Sequence, residues 1–181
     1  HSGAVHNNGV VSVSNCVFNS NEARNGFAGA LRIQGSKADV QKSVFVGNIS
    51  HNHGGAIQIN RNPMTTIKDC LFKDNTAVGA YGGAIANWGG ATSTVSNSTF
   101  VGNKAEVTDK QTKPIGGAIV NMYQTSSSDL TLSKCIFEGD ASSDELDAVH
   151  GGAFANFGSV ALVEGCTFNG LKAEFGGAVS N

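Results

Sequence analysis

The chain has 181 residues and a formal net charge of −2, so no strong positive field points to nucleic acid or to an anionic membrane surface. Hydrophobic residues make up 40% yet never form an apolar run of membrane-spanning length, and no signal-peptide pattern opens the sequence. Only 14% is charged while glycine reaches 24, which disfavours long amphipathic helices and favours short strands joined by many turns.

A repeat organises the chain. Its first copy opens with a small-small-Ala-aliphatic tetrad, Ser2-Gly3-Ala4-Val5, and continues through Val13, Cys16, Phe18, Asn21 and Ala23. The second runs from Ala28-Gly29-Ala30-Leu31 through Val40, Ser43, Phe45, Asn48 and Ser50. The third runs from Gly54-Gly55-Ala56-Ile57 through Ile67, Cys70, Phe72, Asn75 and Ala77. The fourth runs from Gly82-Gly83-Ala84-Ile85 through Val95, Ser98, Phe100, Asn103 and Ala105. The fifth carries Gly116-Gly117-Ala118-Ile119, Leu132, Cys135, Phe137 and Ser142, with Asp140 where Asn is expected. The sixth carries Gly151-Gly152-Ala153-Phe154, Val163, Cys166, Phe168 and Ala173, with Leu171 in the Asn place. A last tetrad, Gly176-Gly177-Ala178-Val179, follows.

The aliphatic residue and the Cys or Ser three positions later both read as internal, although an odd separation puts them on opposite faces of one straight strand. A bend at the intervening polar residue, Asn15, Lys42, Asp69, Asn97, Lys134 or Gly165, resolves the conflict. Each coil of about 26 residues then holds three short strands, with the aliphatic, Cys/Ser and Phe ladders facing inward. The expected fold is all-β: a right-handed, single-stranded parallel β-helix of six to seven coils. Residues 1–181 are expected to form one segment of a longer repeat protein, because neither end shows a polar cap.

The alternation of GGA(I/L/V) tetrads with Phe-x-x-Asn motifs resembles the chlamydial polymorphic membrane proteins. The resemblance covers essentially the whole chain. It departs at Ser2-Gly3, Ala28-Gly29, Asp140 and Leu171, and in the absence of any β-barrel from this sequence. It implies an autotransporter-like passenger exposed at the cell surface, associated with an outer membrane, and an adhesin role toward a protein or cell-surface receptor.

Residue constellations support no metal site, cofactor or catalytic group. Cys16, Cys70, Cys135 and Cys166 share one repeat position and are expected as stacked, reduced thiols. His51 and His53 are expected as solvated turn residues, and His150 lies too many coils away to share an ion with them. The Asn ladder is expected to satisfy turn backbone rather than to bind sugar. Of two glycosylation sequons, Asn48-Ile49-Ser50 falls on that ladder and Asn97-Ser98-Thr99 on a corner. An enzyme of the polysaccharide lyase or hydrolase type needs converging carboxylates, which the repeat does not supply. That reading and a structural rod of a filament or wall are the alternatives to a binding scaffold.

Two coils lengthen at the same corner, before the next tetrad, over residues 104–115 and 141–150, and a shorter expansion covers 122–128. The first carries Lys104, Glu106, Asp109, Lys110 and Lys113, and the second Asp144, Glu145 and Asp147. Loops on a rigid scaffold are common recognition sites, so these eight residues are the expected partner-binding patch, with neighbouring solenoids as further partners.

Overall fold

The computed structural model describes residues 2–61, 63–79, 81–106, 114–124, 126–139 and 148–181, the side chains of 148 and 149 excepted. The chain is a parallel β-helix. A seven-stranded sheet is built from the tetrad strands Val5–Asn7, Leu31–Ile33, Ile57–Ile59, Ile85–Trp88, Ile119–Met122, Phe154–Phe157 and Val179–Ser180. A second sheet stacks Val10–Ser14, Lys37–Gln41, Met64–Lys68, Thr92–Ser96, Asp129–Ser133 and Val160–Glu164. A third stacks Val17–Asn19, Val44–Val46, Leu71–Lys73, Thr99–Val101, Ile136–Glu138 and Thr167–Asn169.

A fourth strand modifies the expected three-strand coil. Glu22–Ala23, Ile49–Ser50, Thr76–Ala77 and Lys104–Ala105 pair as a short sheet at the corner after Phe-x-x-Asn. Small residues let the coils approach there closely enough for backbone pairing. Asp140 and Ser142 lie outside the described residues.

Every pairing is parallel and in register. Val13, Val40, Ile67, Val95, Leu132 and Val163 are successive partners, as are the six phenylalanines from Phe18 to Phe168. The Phe rings stack face to face, with centroids 4.7 Å apart at Phe18–Phe45 and 5.0 Å at Phe137–Phe168. Strand spacing fixes that separation, so ring stacking and backbone pairing have the same period. Cys16 is exposed and Val163 retains 38% exposure. Both were expected inside, and both lie at end strands of their sheets, which pair on one edge only among the described residues.

The bend residues all adopt the left-handed region. Asn15, Lys42, Asp69, Asn97 and Lys134 have φ between 47° and 54°, and Gly165 has 59°. The two lysines therefore follow the same path as the asparagines, at a cost of roughly 1 kcal/mol each. Beyond this corner the Cys/Ser side chain has a fixed task. Ser43 Oγ donates to Gln41 O (2.7 Å) and accepts from Cys16 N–H (3.2 Å). Cys70 Sγ donates to Lys68 O (3.2 Å), and Cys166 Sγ accepts from Cys135 N–H (3.4 Å). A small side chain with one weak or strong donor and one acceptor meets this need, so Cys and Ser interchange. All four cysteines are free. Burial pushes the Cys70 thiol up and the Cys135 thiol up to about 11, which keeps both as protonated donors.

Two amide files run through the coils. In the expected one, Asn21, Asn48 and Asn75 each pass an Nδ2–H to the Oδ1 of the next asparagine at 2.9 Å, ending at Asn103. The second was not expected: Asn87, Asn121 and Asn156 do the same at 2.8, 2.8 and 2.7 Å, ending at Asn181. It lies on the inner face of the tetrad strands, where earlier coils place Ile33 and Ile59. Leu171, in place of Asn, instead packs against the apolar core. No helix among the described residues is long and apolar enough to cross a membrane.

Candidate functional site

The inward Phe, aliphatic and Cys/Ser ladders repeat from coil to coil, whereas the outer faces differ in chemistry. On the tetrad sheet, residues between the inward aliphatics point outward by parity: His6, Arg32, Gln58, Ala86, Val120 and Ala155. Gln58, Ala86, Val120 and Ala155 are nevertheless fully buried. The residue preceding each tetrad supplies an outer layer. His53, Tyr81, Ile115 and His150 form a chain of parallel bridges, and His150 continues to Phe175. The His53 ring meets Trp88 edge-on at 4.2 Å and Tyr81 at 4.9 Å, while His150 meets Phe157 at 5.8 Å and stacks on Phe175 at 5.2 Å.

His53 is therefore not the solvated turn residue that the sequence implies. It is largely enclosed, and burial pushes its imidazole down to about 4 against an opposing contribution from the Gly79 backbone. Its Nδ1, with Gln58 Nε2 and Trp88 Nε1, is buried without a hydrogen-bond partner. His51 is exposed as expected and makes a specific contact, with Nε2 3.0 Å from Glu22 Oε1. Arg24 and His51 beside Glu22 hold its carboxyl below the usual range.

Toward the N-terminus the same face becomes cationic. Gln34, in the amide orientation that satisfies its neighbours, accepts at Oε1 from Arg32 Nη2 (3.0 Å) and Arg61 Nε (3.2 Å) and donates from Nε2 to His6 Nε2 (2.9 Å). Arg32 Nε donates to Gln58 Oε1 at 2.9 Å, and its guanidinium lies 4.5 Å over the Phe27 ring. Burial and the neighbouring Arg61 charge both lower the Arg32 pKa from its ordinary value. Sequence reasoning missed this cluster because its members lie far apart in the chain. Its one legible signal was Arg61, which follows the strand where other coils place Gly89 and Gly158.

Of the eight expected partner-binding residues, two are described. Lys104 is half-buried in its two-residue strand, and Glu106 is exposed with its backbone N–H bonded to Ala77 O at 2.8 Å. Asp109, Lys110, Lys113, Asp144, Glu145 and Asp147 lie outside the described residues. Both expansions rejoin the described chain beside the outer layer, at Ile115 and His150. In the short expansion, Ser128 Oγ accepts from Gly90 N–H (3.2 Å) and donates to Met122 O (3.3 Å), leaving Tyr123 exposed. Asn48 is fully buried with its amide engaged in the file, whereas Asn97 is exposed at its corner.

A family model described as "Right handed beta helix region" matches residues 4–180. No curated protein and no solved structure matches the chain.

Proposed function

Because the chain belongs to the right-handed β-helix family, we propose that it is a binding scaffold of adhesin or passenger type. It would hold a protein or cell-surface partner outside the cell. One observation carries this reading: the coils share inward Phe, aliphatic and Cys/Ser ladders but differ outward, and the outward differences gather along the outer face of the tetrad sheet. A stack of like coils that varies at one face suits recognition over an extended surface. The alternating tetrad and Phe-x-x-Asn motifs support the finer reading of a passenger like those of polymorphic membrane proteins, and with it a surface location.

The test measures saturable binding of the purified chain to cultured cells, alongside turnover assays on a panel of polysaccharides. Saturable binding without turnover supports the scaffold; robust turnover overturns it in favour of a carbohydrate-active enzyme. Replacing residues 104–115 and 141–150 with the short turns of other coils then locates the contact. Lost binding with retained fold places it at the expansions.

A further inference from the structure

The tetrad sheet contains no acid: none of its seven strands includes Asp or Glu. Two of the three arginines in the sequence nevertheless converge on its outer face and share one neutral acceptor, Gln34 Oε1. Among the described residues no carboxylate pairs with either; the acids in ion pairs are Glu22 and Asp69, on other sheets and corners. Two like charges are thus held together with no carboxylate among the described residues to relieve their repulsion. Donors also exceed acceptors. Gln58 Nε2, on a fully buried side chain behind Arg32, has no partner, and the terminal guanidinium nitrogens of Arg61 make no bond among the described residues.

The arginines are fixed as well as concentrated. Arg32 is held by Gln58, Gln34 and the Phe27 ring. Arg61 stands at φ 70° where Gly89 and Gly158 have 65° and 60°, so an L-residue occupies a left-handed position that other coils give to glycine. Planar guanidinium forks match a carboxylate.

We propose that Arg32, Arg61 and Gln34 form a binding site for the carboxylate of an acidic saccharide. This deepens the scaffold reading and rests on it. A saccharide is favoured over an acidic peptide because the neutral polar groups at the site are amides, Gln34 and its counterpart one coil on, Asn60 beside Arg61, which suit hydroxyls. The strands carrying the site are also paired on both edges, so no peptide strand can add there.

The experiment is calorimetric titration of the chain with a glucuronate-containing tetrasaccharide and with its methyl ester. Arg61→Gly, Arg32→Gln and Arg24→Gln are compared with the native chain. The acid should bind; the ester, Arg61→Gly and Arg32→Gln should each weaken binding about tenfold or more. Arg24→Gln removes the same charge at another corner and should leave binding unchanged. Arg61→Gly should keep or raise the melting temperature, which separates lost binding from lost fold. Equal binding by acid and ester, or equal affinity in Arg61→Gly and Arg24→Gln, overturns the site. Equal binding of a sulfated oligosaccharide lacking uronate overturns the carboxylate assignment, and equal binding of a glutamate-rich peptide overturns the saccharide assignment. If Arg61→Gly still binds cells like the native chain, the inference fails while the scaffold reading stands; without any cell binding, the scaffold reading fails on its own test.

Discussion

Asn75 Oδ1 accepts two hydrogen bonds from Asn48, from the side-chain Nδ2 at 2.9 Å and from the backbone N–H at 3.0 Å. Asn75 Nδ2 in turn donates to Phe45 O at 3.0 Å and to Asn103 Oδ1 at 2.9 Å. One buried side chain therefore satisfies two main-chain groups of the preceding coil and ties that coil, through Asn103, to the following one. Asn75→Ala should cost about 3–5 kcal/mol in urea unfolding, since each orphaned buried group costs roughly 1–3 kcal/mol. Asn75→Leu restores volume without the bonds and should recover little. Full recovery would show that filling space, not hydrogen bonding, is what the position needs.

Phe72 is fully buried between two stacked rings, at 4.9 Å from Phe45 and 4.8 Å from Phe100, and its neighbour Lys73 is exposed. Phe72→Ala should cost about 3–5 kcal/mol by chemical denaturation, with Lys73→Ala within about 0.5 kcal/mol of native. Similar losses at both positions would contradict the inward assignment of the ladder.

The first residue of the second to seventh tetrads is left-handed, with φ 63° at Gly82 and 64° at Ala28. A Cβ on Gly82 would lie 2.2 Å from Ile85 O. Gly82→Ala should therefore cost about 2–4 kcal/mol, the sum of conformational strain and a backbone clash. Ala28→Gly should instead raise stability by about 1 kcal/mol, because it removes strain already present. Thermal melts of the two variants should move in opposite directions.

The depressed pKa of His53 has a defined sign. Between the ordinary value of 6.5 and the folded value of about 4, the unfolded chain binds a proton that the folded chain does not. Stability contributed by this group is present above pH 6.5 and is lost as pH falls toward 4, by at most roughly 3 kcal/mol. His53→Phe, a residue that Phe27 and Phe175 already supply before their own tetrads, should flatten that part of the pH profile. Urea midpoints from pH 7 to pH 4 that fall equally in both proteins would assign the loss to other groups.

The inward half of the coil was legible because one residue type recurs at one spacing. Identical neighbours stack, so the Phe, aliphatic and Asn21-to-Asn103 ladders and the bend at Lys42 could be placed without coordinates. The outer layer was not legible, since Phe27, His53, Tyr81, Ile115, His150 and Phe175 share a location but no single residue type. The second amide file was obscured by Ile33 and Ile59 in its early positions. The fourth strand was too short to show a period. The Arg32–Arg61 convergence depends on side-chain reach across coils, which spacing does not encode.

The two amide files meet in the coil that carries both Asn87 and Asn103. One file bridges the interfaces before it, the other those after it, and neither runs the whole length. The solenoid is thus spliced like a rope from two cords laid end to end with a single turn of overlap. Because coil stability adds between nearest neighbours, fraying from one end can consume its own cord and halt at the splice while the other cord stays laid. Amide exchange should then divide the chain into two blocks at this coil, and a tug on either terminus should part it there before the second block yields.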